Sequence, residues 1–209
     1  MNLGEAKEHL INGLMKEGYL KSPAVVKAFK SVHREAFLPA RFRNYAYVDE
    51  PLPIGWGQTI SAPHMVAIMT ELLDPKPKDR VLEIGAGSGY QATVLSKLVK
   101  EIWTMELDPR LAKTAEDNLR KAKIKNVHVL TGDGWLGHKT GGRYDKIIIT
   151  CAVPSLPPGL KRQLKDGGIM LAPVGGYFHQ RLIKAVKERG RLKETSYGMC
   201  VFVPLRRKG

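Results

Sequence analysis

Three alternate glycines, Gly85, Gly87 and Gly89, follow an acid at Glu83 in a spacing suited to ligand chemistry. They close a short apolar run, Val81-Leu82-Glu83-Ile84, and a helical pattern follows from Gln91 to Val99. That order predicts a buried strand, a tight turn and a helix, the first half of a βαβ unit. Without a Cβ, glycine lets the chain turn sharply and lets a ligand lie against the backbone. In an open α/β sheet the ligand sits at the carboxyl ends of the strands, where this loop belongs. The dinucleotide pattern G-x-G-x-x-G would need a glycine at position 90, and Tyr90 stands there.

Two more acids extend the pattern. Residues 101–106 (EIWTME) read as a second strand, ended by Glu106 about twenty residues past the first glycine, a spacing at which an acid takes ribose hydroxyls. Alone, Glu106 reads as well as a solvated strand-end acid. Residues 127–131 read as a third strand with Gly132-Asp133-Gly134 at its tip, and an Asp there can accept from an adenine amino group. The loop Gly85-Ala86-Gly87-Ser88-Gly89 with Glu83 before it resembles the cofactor loop of S-adenosylmethionine-dependent methyltransferases. That cofactor carries an α-ammonium and a carboxylate instead of a pyrophosphate. An acid at the strand end can attract the first, and loop amides can receive the second.

The elements that must position these groups can be read in order. Leu3, Leu10, Ile11, Leu14 and Met15 fall at helical spacing. Ser22-Pro23 reads as N-cap and first-turn proline of a helix to about Ser31. Residues 49–64 hold too many glycines and prolines for a helix or central strand and predict a long functional loop. An apolar helix follows, closed by Asp74-Pro75, and Ser61 is a candidate for its N-cap. Further on, 144–150 predicts a fourth strand, Pro157-Pro158 opens a helix closed by Asp166-Gly167-Gly168, and 169–173 predicts a fifth. The last strands are expected at 180–186 and 196–205, joined by the polar turn 188–191, with their order in the sheet left open. The whole reads as one α/β unit, 1–209: a helical extension over 1–48, a loop over 49–64 and a core over 78–209. The fold class is a doubly wound, mostly parallel sheet of about seven strands.

The stretch 51–65, P-L-P-I-G-W-G-Q-T-I-S-A-P-H-M, resembles the signature of protein-L-isoaspartate O-methyltransferases. The likeness continues in R-E-A-F-L-P, the glycine loop, G-D-G at 132–134, Q-L-K-D-G-G-I-M-L-A-P-V-G at 163–175 and V-F-V-P-L at 201–205, in the family's order over nearly the whole chain. The resemblance implies methyl transfer from S-adenosyl-L-methionine, leaving S-adenosyl-L-homocysteine, to the free α-carboxylate of L-isoaspartyl residues in damaged proteins and peptides. It implies a catalytic role for Ser61, and cofactor contacts from Gln58, Thr59, Ile60, Glu83, residues 85–89, Glu106, Leu107, Asp133 and Gly134. It places substrate near Ile54, Ile60, Ser61, His64, Val174 and Gly175. Two departures stand out: Leu107-Asp108-Pro109 where many relatives have a basic residue, and Cys151 in place of a common alanine.

Composition bounds the rest. The chain has 209 residues, a net charge of +14, two cysteines and six scattered histidines without metal-ligand spacing. Cys151 and Cys200 lie in apolar runs and read as buried thiols in a reducing compartment. The amino terminus is not signal-like and no apolar run would span a membrane, so a cytoplasmic protein is expected. The basic residues are spread along exposed helix positions such as Lys97, Lys113, Arg120, Lys121 and Lys123, which favours a solvated surface over a nucleic-acid footprint. Isoaspartyl peptides are the expected partners, with no nucleic acid and no membrane, and the chain is expected to act as a monomer. A nucleic-acid methyltransferase and a non-catalytic cofactor-binding module remain the rival readings.

Overall fold

The computed structural model describes residues 2–138 and 140–207. Two helices open the chain, α1 (Leu3–Lys16) and α2 (Pro23–Ser31), followed by 3-10 turns over Arg34–Phe37 and Ala40–Tyr45. A capping box starts α1: Asn2 accepts the Glu5 N–H while the Glu5 side chain accepts the Asn2 N–H. Ser22 occupies the N-cap position of α2 but does not cap it; its hydroxyl donates to Glu71 instead.

Residues 49–64 are not an irregular loop. They contain an antiparallel hairpin, β1 (Leu52–Gly55) and β2 (Gln58–Ile60), before α3 (Pro63–Leu73). Its turn residues Trp56 and Gly57 both take positive φ, the geometry of a two-residue turn that follows the strand twist. The glycines and prolines that argued against a helix or a central strand serve here in the turn and bulge of a short two-stranded sheet.

The main sheet comprises β3 (Arg80–Ile84), β4 (Glu101–Glu106), β5 (Val127–Thr131), β6 (Tyr144–Ile149), β7 (Leu164–Gly175), β8 (Gln180–Glu188) and β9 (Arg191–Cys200). Their order is β5-β4-β3-β6-β7-β8-β9, with the first five parallel and the last three an antiparallel meander. Three helices connect the parallel strands: α4 (Tyr90–Ser96), α5 (Pro109–Lys121) and α6 (Pro158–Gln163). Strand order reverses between β3 and β6, so a crevice opens at their carboxyl ends. Period-two alternation sends Val81 and Ile148 to the core under α1–α4, and Leu82, Ile84, Ile147 and Ile149 to the core under α6.

Three boundaries differ from expectation. Helix α4 ends at Ser96. Helix α6 ends at Gln163, and Asp166-Gly167-Gly168 belongs to β7, where the register with β6 shifts. The β8–β9 turn contracts to Arg189-Gly190, both at positive φ, so β9 runs over 191–200 and the chain to Leu205 returns towards the crevice. Among the described residues no helix is long and apolar enough to cross a membrane.

Candidate active site

At the switch point the β3–α4 turn closes against β6. Gly85 has φ +98, and a Cβ there would lie 2.6 Å from Thr150 Oγ1. Thr150 Oγ1 donates to the carbonyls of Ile84 and Gly85, at 3.0 and 2.7 Å, which fixes the turn to the neighbouring strand. The N–H groups of Gly85 and Ala86 donate to the Met105 carbonyl, and Asn118 on α5 donates to the Ser88 carbonyl. A cavity of about 460 Å³ opens beside this turn, lined among others by Gln58, Gly85, Glu106, Leu107, Arg110, Gly134 and Cys151. A narrow pocket of about 70 Å³ continues from it, between residues 58–61 and Gly85–Ser88. Gln58, Gly85, Glu106 and Cys151 line both.

The three acids have different surroundings. Glu106 ends β4 and accepts from Gly87 N–H at 3.0 Å and Asp108 N–H at 3.1 Å, on separate oxygens. Glu83 is fully buried, and neither of its oxygens has a hydrogen-bond partner among the described residues. Burial pushes its carboxyl up to about 8; the nearby Thr104 hydroxyl offsets part of that, and Glu106 adds repulsion. Asp133 accepts the Trp135 N–H at 2.9 Å and so starts the 3-10 turn Gly134–Leu136. That places Gly134 in the cavity wall.

Ser61 precedes α3 without capping it. Ala62 is the N-cap residue and makes no side-chain cap, while Asp49 accepts the His64 N–H from outside the helix. Ser61 lines the narrow pocket and also an outer groove of about 580 Å³. Thr59, Thr150 and Val203 are shared by the same two spaces. The groove runs past His64, Tyr177, Phe178, Met199 and Val201, and the last four side chains are exposed. His64 is the one titratable side chain of the groove besides Tyr177 and Cys200, and its ring Nδ1 lies 3.0 Å from Asp49 Oδ1.

Most of the residues expected from the sequence meet at these spaces. Gln58, Thr59, Ile60, Ser61, Gly85, Ala86, Gly87, Ser88, Glu106, Leu107 and Gly134 line the cavity or pocket, and His64 lines the groove. Gly89 is the N-cap of α4 at φ +84, and Glu83 lies behind the turn. Ile54 is buried behind Gly87, where a Cβ would meet its Cδ1 at 3.3 Å, and it faces a separate groove with Trp56 and Ser88. Val174 and Gly175 pair with Arg181 and Gln180, and the Gly175 N–H donates to Val153; neither lines the spaces around Ser61. Three contributors were not anticipated. Thr150 holds the turn, Arg110 lines the cavity, and residues 203–206 return beside it through the Ala152–Pro204 bridge. The V-F-V-P-L run carried the signal for the last, but nothing in its pattern tied it to the crevice.

The protein-L-isoaspartate(D-aspartate) O-methyltransferase family model matches residues 5–209. A protein-L-isoaspartate O-methyltransferase of Methanopyrus kandleri is 49% identical over 205 residues, covering 96% of this chain and 91% of the relative. One from Staphylothermus marinus is 47% identical, covering 95% and 93%. A Plasmodium falciparum structure described as such an enzyme, in complex with S-adenosyl-L-homocysteine, superposes with a TM-score of 0.86 at 23% identity, over 97% of this chain and 99% of its own. A second solved protein-L-isoaspartate O-methyltransferase gives 0.87 at 30% identity, over 95% of this chain and 65% of its own. The chain belongs to the protein-L-isoaspartate(D-aspartate) O-methyltransferase family.

Proposed function

We propose that this chain transfers a methyl group from S-adenosyl-L-methionine to the free α-carboxylate of L-isoaspartyl residues in damaged proteins and peptides, starting a repair that proceeds through succinimide. The observation that carries this reading is the double exposure of Ser61, to the pocket beside the glycine turn and to the outer groove. Ser61, together with Thr59, Thr150 and Val203, thus stands where a donor held inside and an acceptor held outside would meet.

The residues fit the donor. Glu83 is a buried carboxyl without a hydrogen-bond partner among the described residues, near the end of the strand that leads into the turn. It is suited to an ammonium group nearby. Glu106 is suited to ribose hydroxyls, and Leu107 and Gly134 to the flat faces of a purine. When bound, S-adenosyl-L-methionine supplies an electrophilic methyl on a sulfonium.

The protein's work is positional. An isoaspartyl α-carboxylate has a pKa of about 3.5, so it arrives ionised and needs no general base. Ser61 orients it by donating a hydrogen bond, towards an in-line approach at ~3–3.5 Å. Ile60 helps keep water from the pocket, where opposite charges neutralise each other as the methyl moves. The apolar groove beyond takes the flanking chain in an extended pose. Cys151 supplies no nucleophile: burial, with Glu106 and Glu83 nearby, pushes its thiol far up. That disfavours a pyrimidine methyltransferase that works through a cysteine.

We read 1–209 as one functional unit, a monomer of the reducing cytoplasm that acts on peptide and not on nucleic acid. The test is incubation of the pure protein with labelled S-adenosyl-L-methionine and a peptide pair, one isoaspartyl and one aspartyl. Base-labile label in the isoaspartyl peptide alone is expected. Label in neither, or equally in both, removes the assignment.

A further inference from the structure

We infer that Trp56 and Arg110 form a latch that holds the β1–β2 hairpin over the cofactor cavity and slows the exit of S-adenosyl-L-homocysteine. The inference rests on the cofactor reading above and not on the identity of the methyl acceptor.

Trp56 is an unusual residue for its position. It sits in the hairpin turn with φ +50, a left-handed conformation that glycine or asparagine adopts readily and a bulky side chain does not. It is 42% exposed, so core packing does not account for it. Strain of this kind gathers at functional sites, where surrounding contacts hold it. The contact here is cationic: the Arg110 guanidinium carbon lies 5.3 Å from the centre of the Trp56 ring.

Arg110 is held in turn. Its Nε and Nη2 donate to the two oxygens of Asp108, at 2.9 and 2.6 Å. Asp108 caps α5 and donates its own N–H to Glu106, which accepts Gly87 N–H on its other oxygen. The hairpin tip is therefore tied through one cation to the strand end and helix start that wall the cavity. Two residues beyond Trp56, Gln58 lines both the cavity and the narrow pocket. A two-stranded hairpin has little stability of its own, so contacts on its faces and tip set where it rests. Leu52 and Ile60 pair at its base and are buried, and the Trp56–Arg110 pair secures the far end.

The test follows S-adenosyl-L-homocysteine dissociation by stopped flow, together with the melting temperature of the ligand-free protein. Trp56→Gly removes the ring and the backbone strain together, so the protein melts at the same or a higher temperature. The latch predicts that it nevertheless releases S-adenosyl-L-homocysteine about two- to fivefold faster, the effect of one exposed cation–π contact. Trp56→Phe restores most of the wild-type rate, and Arg110→Met, which also alters the cavity wall, speeds release less in the Trp56→Gly background than in the wild type. Unchanged release from Trp56→Gly, or full additivity of Trp56→Gly with Arg110→Met, overturns the latch. A wild-type protein that binds S-adenosyl-L-homocysteine and shows this pattern, yet methylates no isoaspartyl peptide, keeps the latch and loses the proposed acceptor. One that binds none loses both.

Discussion

Asp49 Oδ1 lies 2.8 Å from the backbone nitrogen of His64 and 3.0 Å from its ring Nδ1. One carboxylate oxygen thus caps α3 and orients the histidine that faces the groove. A carboxylate can only accept, so Nδ1 carries the proton in this contact. The arrangement takes over the capping that the position of Ser61 suggested.

The two residues should therefore separate on mutation. Ser61→Ala is expected to lower kcat on an isoaspartyl peptide by at least about tenfold, as loss of an orienting hydrogen bond does. Its thermal unfolding should barely move. Asp49→Ala should cost about 1 kcal/mol of stability, the usual loss of a helix cap. Steady-state kinetics and denaturant melts on both variants check this; a destabilised but fully active Ser61→Ala would reverse the assignment.

Much of this site is legible in the sequence because strand-end residues follow a strict period. The apolar runs before Gly85, Asp133 and Thr150 locate the carboxyl ends of three parallel strands, and the ligand crevice lies there in any sheet of this class. The hairpin was not legible. Pro51, Pro53, Gly55 and Gly57 argue against a helix or a central strand by composition and leave a loop as the expectation, yet two short strands of four and three residues need few ladder bonds and tolerate such residues at bulge and turn. The capping of α3 was not legible either, because Asp49 reaches it from fifteen residues away. Val174 and Gly175 pair with β8 and line neither space around Ser61.

Gly85→Ala tests the turn that faces Thr150. The backbone is at φ +98, and the added methyl would stand 2.6 Å from Thr150 Oγ1. Strain of roughly 1–3 kcal/mol is expected from the backbone alone, with the clash in addition. Melting temperature and S-adenosyl-L-homocysteine affinity should fall together. Combining it with Thr150→Ala should recover part of both losses, since the clash goes while the φ strain stays. No recovery would mean that Thr150 is not the group in the way.

The two thiols should be silent in the folded protein. Cys151 and Cys200 are both buried and free, and burial pushes Cys200 up to about 11 and Cys151 higher. Neither should react with a thiol-specific disulfide reagent at pH 8 within the time that denatured protein reacts completely. S-adenosyl-L-homocysteine should protect Cys151 further, because Cys151 lines the cavity. Rapid labelling of Cys151 in the folded state would show that the cavity opens much wider than its described walls.

Glu83 carries the sharpest pH signature. Burial raises its carboxyl from the ordinary 4.5 to about 8, so between those values the native state holds a proton that the unfolded chain has lost. Where the native state binds more protons, stability falls as pH rises. The contribution of this group is therefore intact below about 4.5, declines between 4.5 and 8, and is lost above. Glu83→Gln, neutral at every pH, should remove that decline, as denaturant melts at pH 5, 6.5 and 8 would show. Cofactor binding should reverse the preference, since an ammonium brought close favours the carboxylate. Below pH 8 the wild type should then release up to one proton on binding, measurable by calorimetry in buffers of different ionisation enthalpy. Glu83→Gln should release none from this site and bind more weakly. If the wild type and Glu83→Gln released the same number of protons, Glu83 would be a structural acid and the ammonium would be held elsewhere.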